Sequence, residues 1–351
     1  MGKKFYKVLV PVYALICLAS VVGIVYSADL YPVLPDEKAQ YFMSAALVAT
    51  GVLSGSVVHA LVHETGHVIP LLLNKAEIVE FSVLGLRVQT LYGKRKVGFS
   101  LKSGYSGYVS FVMKQYENSQ IVAYNSAIGA GIGSLLTIML LAPVFHFVHN
   151  YYVYCIVGGA YIATLYSVLV NYLSLMPTSD GELIFFAEKS YEIYHAIREV
   201  ESRLYYGERL SEMPDELFSD EKSYLNGYYS LLRSLEKGDL AEAEKLLPKL
   251  REENEKYFIN QPITLDLQEF FISVTKGDAS AVEKLKDRVL DFCDREINPT
   301  SLRVQIAYRK SVNDTEWTEA LEKTFTAQEN NSFKGLFLTE KAILEYFSAG
   351  A

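Results

Sequence analysis

His63-Glu64-Thr65-Gly66-His67 lies inside an apolar run. Neither Tyr41 to Val62 before it nor Val68 to Leu73 after it contains an Asp, Glu, Lys or Arg. On a helix, an H-E-x-x-H pattern sets two imidazoles one turn apart on one face. There they can grip a single zinc while the neighbouring glutamate handles a proton. An ionisable side chain at membrane depth costs about 2.5–3.5 kcal/mol on insertion scales. Two histidines and a glutamate in that setting need a compensating partner, and a metal ion is the obvious one. Read as helix at 1.5 Å per residue, residues 41–73 approach about 50 Å, more than a perpendicular span requires. Pro70, or Gly51 and Gly55, are therefore expected to break or tilt the run, with the motif near its cytoplasmic end.

Three further apolar runs flank this one. Val8 to Ser27 is uncharged and follows Lys3, Lys4 and Lys7, which places the N-terminus in the cytoplasm. A cleaved signal peptide is the competing reading. Tyr26-Ser27-Ala28 argues for an uncleaved anchor, because a bulky residue stands where a small one is preferred. Residues 120–147 are rich in Ser, Ala and Gly (Ser126, Ala127, Gly129, Ala130, Gly131, Gly133, Ser134), the composition that lets membrane helices approach closely. After a turn at His149-Asn150, a fourth run covers 151–176, opened by Tyr151, Tyr152 and Tyr154 as an interfacial belt. About four spans return the chain to the cytoplasm at Met176-Pro177.

Between the second and third runs, residues 74–118 are basic (Lys75, Arg87, Lys94, Arg95, Lys96, Lys102, Lys114), as a cytoplasmic segment is. Phe81, Val83, Leu86 and Val88 alternate with polar neighbours, and Val97, Phe99 and Leu101 do so again after Gly93. This pattern reads as a short β-hairpin region, with Gly104 and Gly107 punctuating a third strand. An ordinary basic loop is the alternative.

Charge divides the chain. Residues 1–180 carry 11 Lys+Arg against 8 Asp+Glu; residues 181–351 carry 22 against 33. An acidic second half argues against nucleic acid as a partner. Cys17, Cys155 and Cys293 are scattered without C-x-x-C spacing, so neither a disulfide framework nor a thiolate metal site is expected. From Glu182 onward the pattern is amphipathic helix. Leu231 to Leu246, centred on Gly238-Asp239, resembles Phe270 to Leu285, centred on Gly277-Asp278, at an offset of 39 residues. Helix, Gly-Asp turn, helix suggests a hairpin repeat of the tetratricopeptide kind, although the usual period is nearer about 34; a generic helical bundle is the other reading. The expected fold is mainly α, a polytopic membrane protein with a soluble C-terminal domain. Its parts are an anchor helix and external loop (1–40), a membrane core (41–181) and a cytoplasmic acidic helical domain (182–351).

A catalytic zinc needs a third protein ligand and an open position. Asp180, followed by Gly181, is the one carboxylate between Glu117 and Glu182. The expected topology brings the ends of spans two and four to the same membrane face, which makes Asp180 the third ligand beside His63 and His67. Pro177 ends the helix before it, and Gly181 allows a tight backbone turn. Glu182 and Glu188 are alternative carboxylates. His59 lies eight residues from His67, about 12 Å along a helix axis, too far to share one ion, so it reads as a packing or supporting residue. His146, His149 and His195 read as interfacial or surface residues.

With His63-Glu64-Thr65-Gly66-His67 and the Pro177…Asp180-Gly181 segment on the page, residues 41–185 resemble the site-2 protease family of intramembrane zinc metalloproteases. The resemblance implies that His63, His67 and Asp180 bind Zn2+ and that Glu64 is the general base. It implies a multi-pass protein of a bacterial cell membrane that hydrolyses peptide bonds of a transmembrane protein or peptide. Two departures mark a divergent branch. Asn171 stands six residues before Pro177, and the small-residue span lacks the Gly-Pro followed by asparagine often seen in the family. Asn125 and Asn171 are left as candidates for the polar partner of the transition state. A competing reading makes the membrane part a silent anchor for a helical-repeat adaptor that binds a protein partner.

Overall fold

The long apolar run around the motif forms one helix, α2, from Glu37 to Leu73. Neither Pro70 nor the glycines break it. Pro70 lacks the N–H that would bond the Gly66 carbonyl, and that carbonyl instead abuts Gly129 of a neighbouring helix. At 37 residues α2 is about 55 Å long, more than a perpendicular crossing of a bilayer core requires. It ends where Lys75 turns left-handed (φ 58°), with Ala76 N donating to the Leu71 carbonyl and the Asn74 side chain to the Pro70 carbonyl. Gly51 and Gly55 serve close packing: a Cβ at either would strike the backbone of Ile156 or Ala160.

The computed structural model describes residues 2–27, 37–99, 107–114, 119–147, 150–173, 180–185, 187–218, 224–257 and 262–348. Pro177, Leu101, Gly104 and His149 lie outside them. Before α2 comes α1 (Gly2–Ser27); after it, past a small sheet, come α3 (Ser119–Phe147) and α4 (Tyr151–Val168), which runs on as a π-helical turn, Leu169–Leu173. Three helices are long and apolar enough to cross a membrane, spanning Lys38–Leu73, Ile121–Phe147 and Tyr151–Tyr172. The apolar part of α1, Pro11–Ser27, is shorter. Asn150 caps α4, accepting from Tyr152 N and Val153 N. Tyr151 turns inward rather than joining an interfacial belt. It is buried and bonds Ser44 Oγ at 2.9 Å and the Gln40 carbonyl at 3.2 Å, because a phenol inside an apolar bundle needs a partner.

The basic segment forms four strands, β1 (Glu77–Val83), β2 (Leu86–Leu91), β3 (Lys94–Phe99) and β4 (Gly107–Val112), in the order β3-β2-β1-β4. The β1–β2 register pairs Phe81 with Val88 and Val83 with Leu86. Both tight turns use two successive positive-φ residues, Leu84-Gly85 and Tyr92-Gly93, whose twist suits a two-residue hairpin. Glu80 ties three strands together, accepting from Arg87 and Gln89 of β2 and Tyr108 of β4. Burial pushes its carboxyl up, but these bonds outweigh burial and hold it below the ordinary carboxylate range. Burial and the adjacent Glu80 push the Tyr108 phenol up to about 12.

The chain divides into two compact units: Met1–Thr90, Arg95–Phe111 and Asn118–Tyr191 in one, and Leu91–Lys94, Val112–Glu117 and Glu192–Ala351 in the other. The first ends in a short helix α5 (Asp180–Phe185) and the beginning of α6 (Ala187–Tyr206). The second is helical, with α7 (Tyr224–Glu236), α8 (Leu240–Tyr257), α9 (Pro262–Lys276), α10 (Ala279–Arg295), α11 (Pro299–Ser311), α12 (Thr315–Ala327) and α13 (Lys334–Ser348). The two hairpins expected from the repeat are α7–α8 and α9–α10. At each turn a left-handed glycine (Gly238, φ 76°; Gly277, φ 70°) precedes an aspartate that caps the next helix, Asp239 onto Glu242 N and Asp278 onto Ala281 N. A third hairpin, α11–α12, repeats the device with Asn313 (φ 57°) in place of glycine and Asp314 as the cap. Leu231, Leu235, Leu250, Phe270, Phe271 and Val304 are buried at the centre of this unit. Cys293 joins them, and burial pushes its thiol up to about 12. All three cysteines are buried and free.

Candidate metal centre

The helical repeat brings His63 and His67 onto one face of α2, their rings 5.1 Å apart and edge to face. The start of α5 supplies a carboxylate. Asp180 Oδ2 lies 3.0 Å from His63 Nε2, and Asp180 Oδ1 lies 3.5 Å from His67 Nε2. One ligand atom from each residue falls within 4.8 Å of the other two. Donors around a four-coordinate ion with bonds of about 2.0–2.2 Å stand roughly 3.3–3.6 Å apart. The set of two imidazole nitrogens and a carboxylate oxygen could therefore hold a metal ion. Burial pushes the Asp180 carboxyl up, but the two imidazoles against it outweigh burial and hold the group well below the ordinary carboxylate range, toward the form a ligand must take.

Glu64, next to His63, is buried, and its Oε2 has no hydrogen-bond partner. An orphaned acceptor of this kind is costly unless something else completes it. Gly107 covers the other side of the carboxylate: a Cβ there would fall 2.5 Å from Glu64 Oε1.

Close approach of α3 to α2 depends on the small residues. A Cβ on Gly66 would meet the backbone of Gly129 and Ala130, and one on Gly133 would meet the Val62 carbonyl at 2.8 Å. At the end of α4, Gly181 packs onto the backbone of Tyr172, which draws Asp180 inward. The Tyr172 ring stands edge-on to His63 with centroids 6.2 Å apart. Its hydroxyl donates to the Ala127 carbonyl at 3.5 Å. Tyr172 adjoins Asn171 in the π-helical turn, and no spacing rule singled it out.

His59 is buried and stacks on His63 at 5.7 Å, its Nε2 unpartnered. It is outside the group of three. Glu182 lies in α5 and Glu188 in α6, but their side chains, like that of His195, fall outside the described residues. His146 is exposed, its ring against Phe145. Asn125 lies on α3 beside Ser126.

Compared with family models, with curated proteins and with solved structures, the chain has no match in any of the three, so the reading of the site rests on its own residues.

Proposed function

We propose that this chain is a zinc-dependent intramembrane endopeptidase resembling the site-2 proteases. One observation carries the reading. A carboxylate far away in sequence meets both histidines of an H-E-x-x-H helix, beside a buried glutamate with an unpartnered oxygen. His63, His67 and Asp180 would hold the ion. Bound zinc supplies a Lewis acid and makes an adjacent water acidic enough to lose a proton near neutral pH. Glu64 takes that proton and delivers it to the leaving amine. The buried setting of His63 and Glu64 keeps bulk water away from the reacting carbonyl.

The substrate is a transmembrane protein or peptide, whose helix must unwind locally before its amide can be reached. Strand addition to a sheet edge would hold the unwound segment. The sheet has two edges, β3, exposed at every position, and β4, whose first residue touches Glu64. The β4 edge is the one beside the general base. In the same reading α1 is a fourth span, both termini are cytoplasmic, the membrane is bacterial, and the acidic helical unit recruits a protein partner or restricts access.

Glu64→Gln tests this against the adaptor alternative. The protease reading requires the variant to keep its zinc while a co-expressed membrane substrate accumulates uncut. Unchanged processing by the variant would leave an anchored scaffold as the better description.

A further inference from the structure

Two serines of α3 behave unlike the other hydroxyls of the membrane helices. Ser44, Thr50, Ser54, Ser56, Thr65, Thr137, Thr164 and Ser167 each donate to the carbonyl four residues back on their own helix. This is the ordinary way for a hydroxyl in a membrane helix to satisfy itself. Ser126 and Ser134 instead point across to α2. Ser134 Oγ lies 2.9 Å from His63 Nδ1, and Ser126 Oγ lies 3.1 Å from His67 Nδ1. They are eight residues apart, with Ala130, fully buried, halfway between on the same face. The Gly66–Gly129 and Val62–Gly133 approaches on either side bring the backbones near enough for so short a side chain to reach.

Proton counting then assigns the Ser126 bond a direction. A serine hydroxyl has one hydrogen. Ser126 Oγ donates to the His67 carbonyl at 3.1 Å, so toward His67 Nδ1 it can only accept, and Nδ1 must carry the proton. On the other ring the placement is the same, with Ser134 Oγ against Nδ1 and the Asp180 carboxylate against Nε2; Nδ1 donating to Ser134 leaves Nε2 for an ion, the arrangement a ligating histidine takes. Both imidazoles are thereby left with Nε2 facing Asp180.

We propose that Ser126 and Ser134 are positioning residues that lock His67 and His63 with the proton on Nδ1, so that α3, which supplies no ligand, sets the affinity of the centre for its metal. The proposal rests on the metal-site reading above and concerns how the site is held rather than what it cleaves. A ligating histidine ordinarily gives its second N–H to a carboxylate, a carbonyl or water. Hydroxyls do it here because a carboxylate at that depth would bring its own charge cost.

The test uses the full-length protein in detergent. Zinc affinity, measured by competition with a chelator, should fall about 10–100-fold in Ser126→Ala and in Ser134→Ala. The Thr variants, which keep the hydroxyl, should retain most of it. Ser56→Ala, whose hydroxyl bonds its own helix, should match the parent. Separately, nitrogen NMR of histidine-labelled, metal-free parent protein should find Nδ1 of His63 and His67 protonated. Ala variants that bind zinc as tightly as the parent would overturn the proposal, and so would a bare Nδ1 on either ring. Parent protein that binds no zinc would remove the protease reading instead, and the NMR result would still decide how the rings are held.

Discussion

Gly107, the first residue of β4, lies against the side chain of Glu64, so close that a Cβ would fall 2.5 Å from Oε1 and 2.6 Å from Cγ. A strand and the long apolar helix α2 therefore share one small contact at the proposed general base, and glycine is the one residue with room for it. Gly107→Val should push the carboxylate aside. A misplacement of about 1 Å can cost on the order of 100-fold in rate, so cleavage should drop by that order while zinc content per protein stays at the parent level. A variant of full activity would mean that Glu64 and β4 move apart when substrate binds.

Asp180 is the ligand that sequence spacing could least guarantee, and Glu182 and Glu188 were its rivals. Asp180→Ala should abolish stoichiometric zinc binding, measured by elemental analysis after dialysis. Glu182→Ala and Glu188→Ala should leave it intact. Loss of zinc in either glutamate variant, with retention in Asp180→Ala, would reassign the third position.

Glu80 predicts a pH dependence for the sheet. Its pKa is depressed in the folded state by Arg87, Tyr108 and Gln89 despite burial. The stability it contributes is therefore full above its unfolded pKa and lost as pH falls through the folded value. Protection from hydrogen exchange at β1, β2 and β4, taken relative to the unfolded-chain rate at each pH, should fall as the pH drops below about 4, the ordinary glutamate range. In Glu80→Gln the same amides should exchange faster at neutral pH, with little further change on acidification. An unchanged acid response in that variant would place the titrating group elsewhere.

The third helical hairpin offers a stability test. Asp314 caps α12, and Ala in its place should cost about 1 kcal/mol, read as faster exchange confined to α11–α12. Asn313 holds φ 57°, so Asn313→Gly should be tolerated or mildly stabilising, because glycine meets no steric cost there. A marked loss from Asn313→Gly would show that the asparagine side chain, rather than its backbone shape, is what the turn requires.

The hairpins show how legibility depends on local chemistry. Gly238-Asp239 and Gly277-Asp278 could be read because glycine advertises a left-handed turn and aspartate a cap. The third copy was hidden by Asn313, which takes the same φ with a side chain that ranks lower as a signal. Likewise Gly93 announced a turn in the sheet, whereas the Leu84-Gly85 turn was masked by a leucine at φ 49°, a conformation its side chain disfavours and the surrounding strands impose. Pro70 and the glycines of α2 were expected to break or tilt the helix, and the helix runs through them unbroken. They mark close packing instead, because α3 and α4 press against the faces where a Cβ is missing.

Helical period alone put His63, Glu64 and His67 on one turn of an apolar helix, and the charge pattern alone separated an apolar half from an acidic one. Those properties are local, set within a few residues by backbone geometry and hydrophobicity. Tertiary structure decided that Asp180 reaches both imidazoles, that Ser126 and Ser134 face their far nitrogens, and that Gly107 abuts Glu64. Each of these depends on how closely separate helices approach, which is governed by glycine contacts between distant segments and so leaves no periodic trace along the chain.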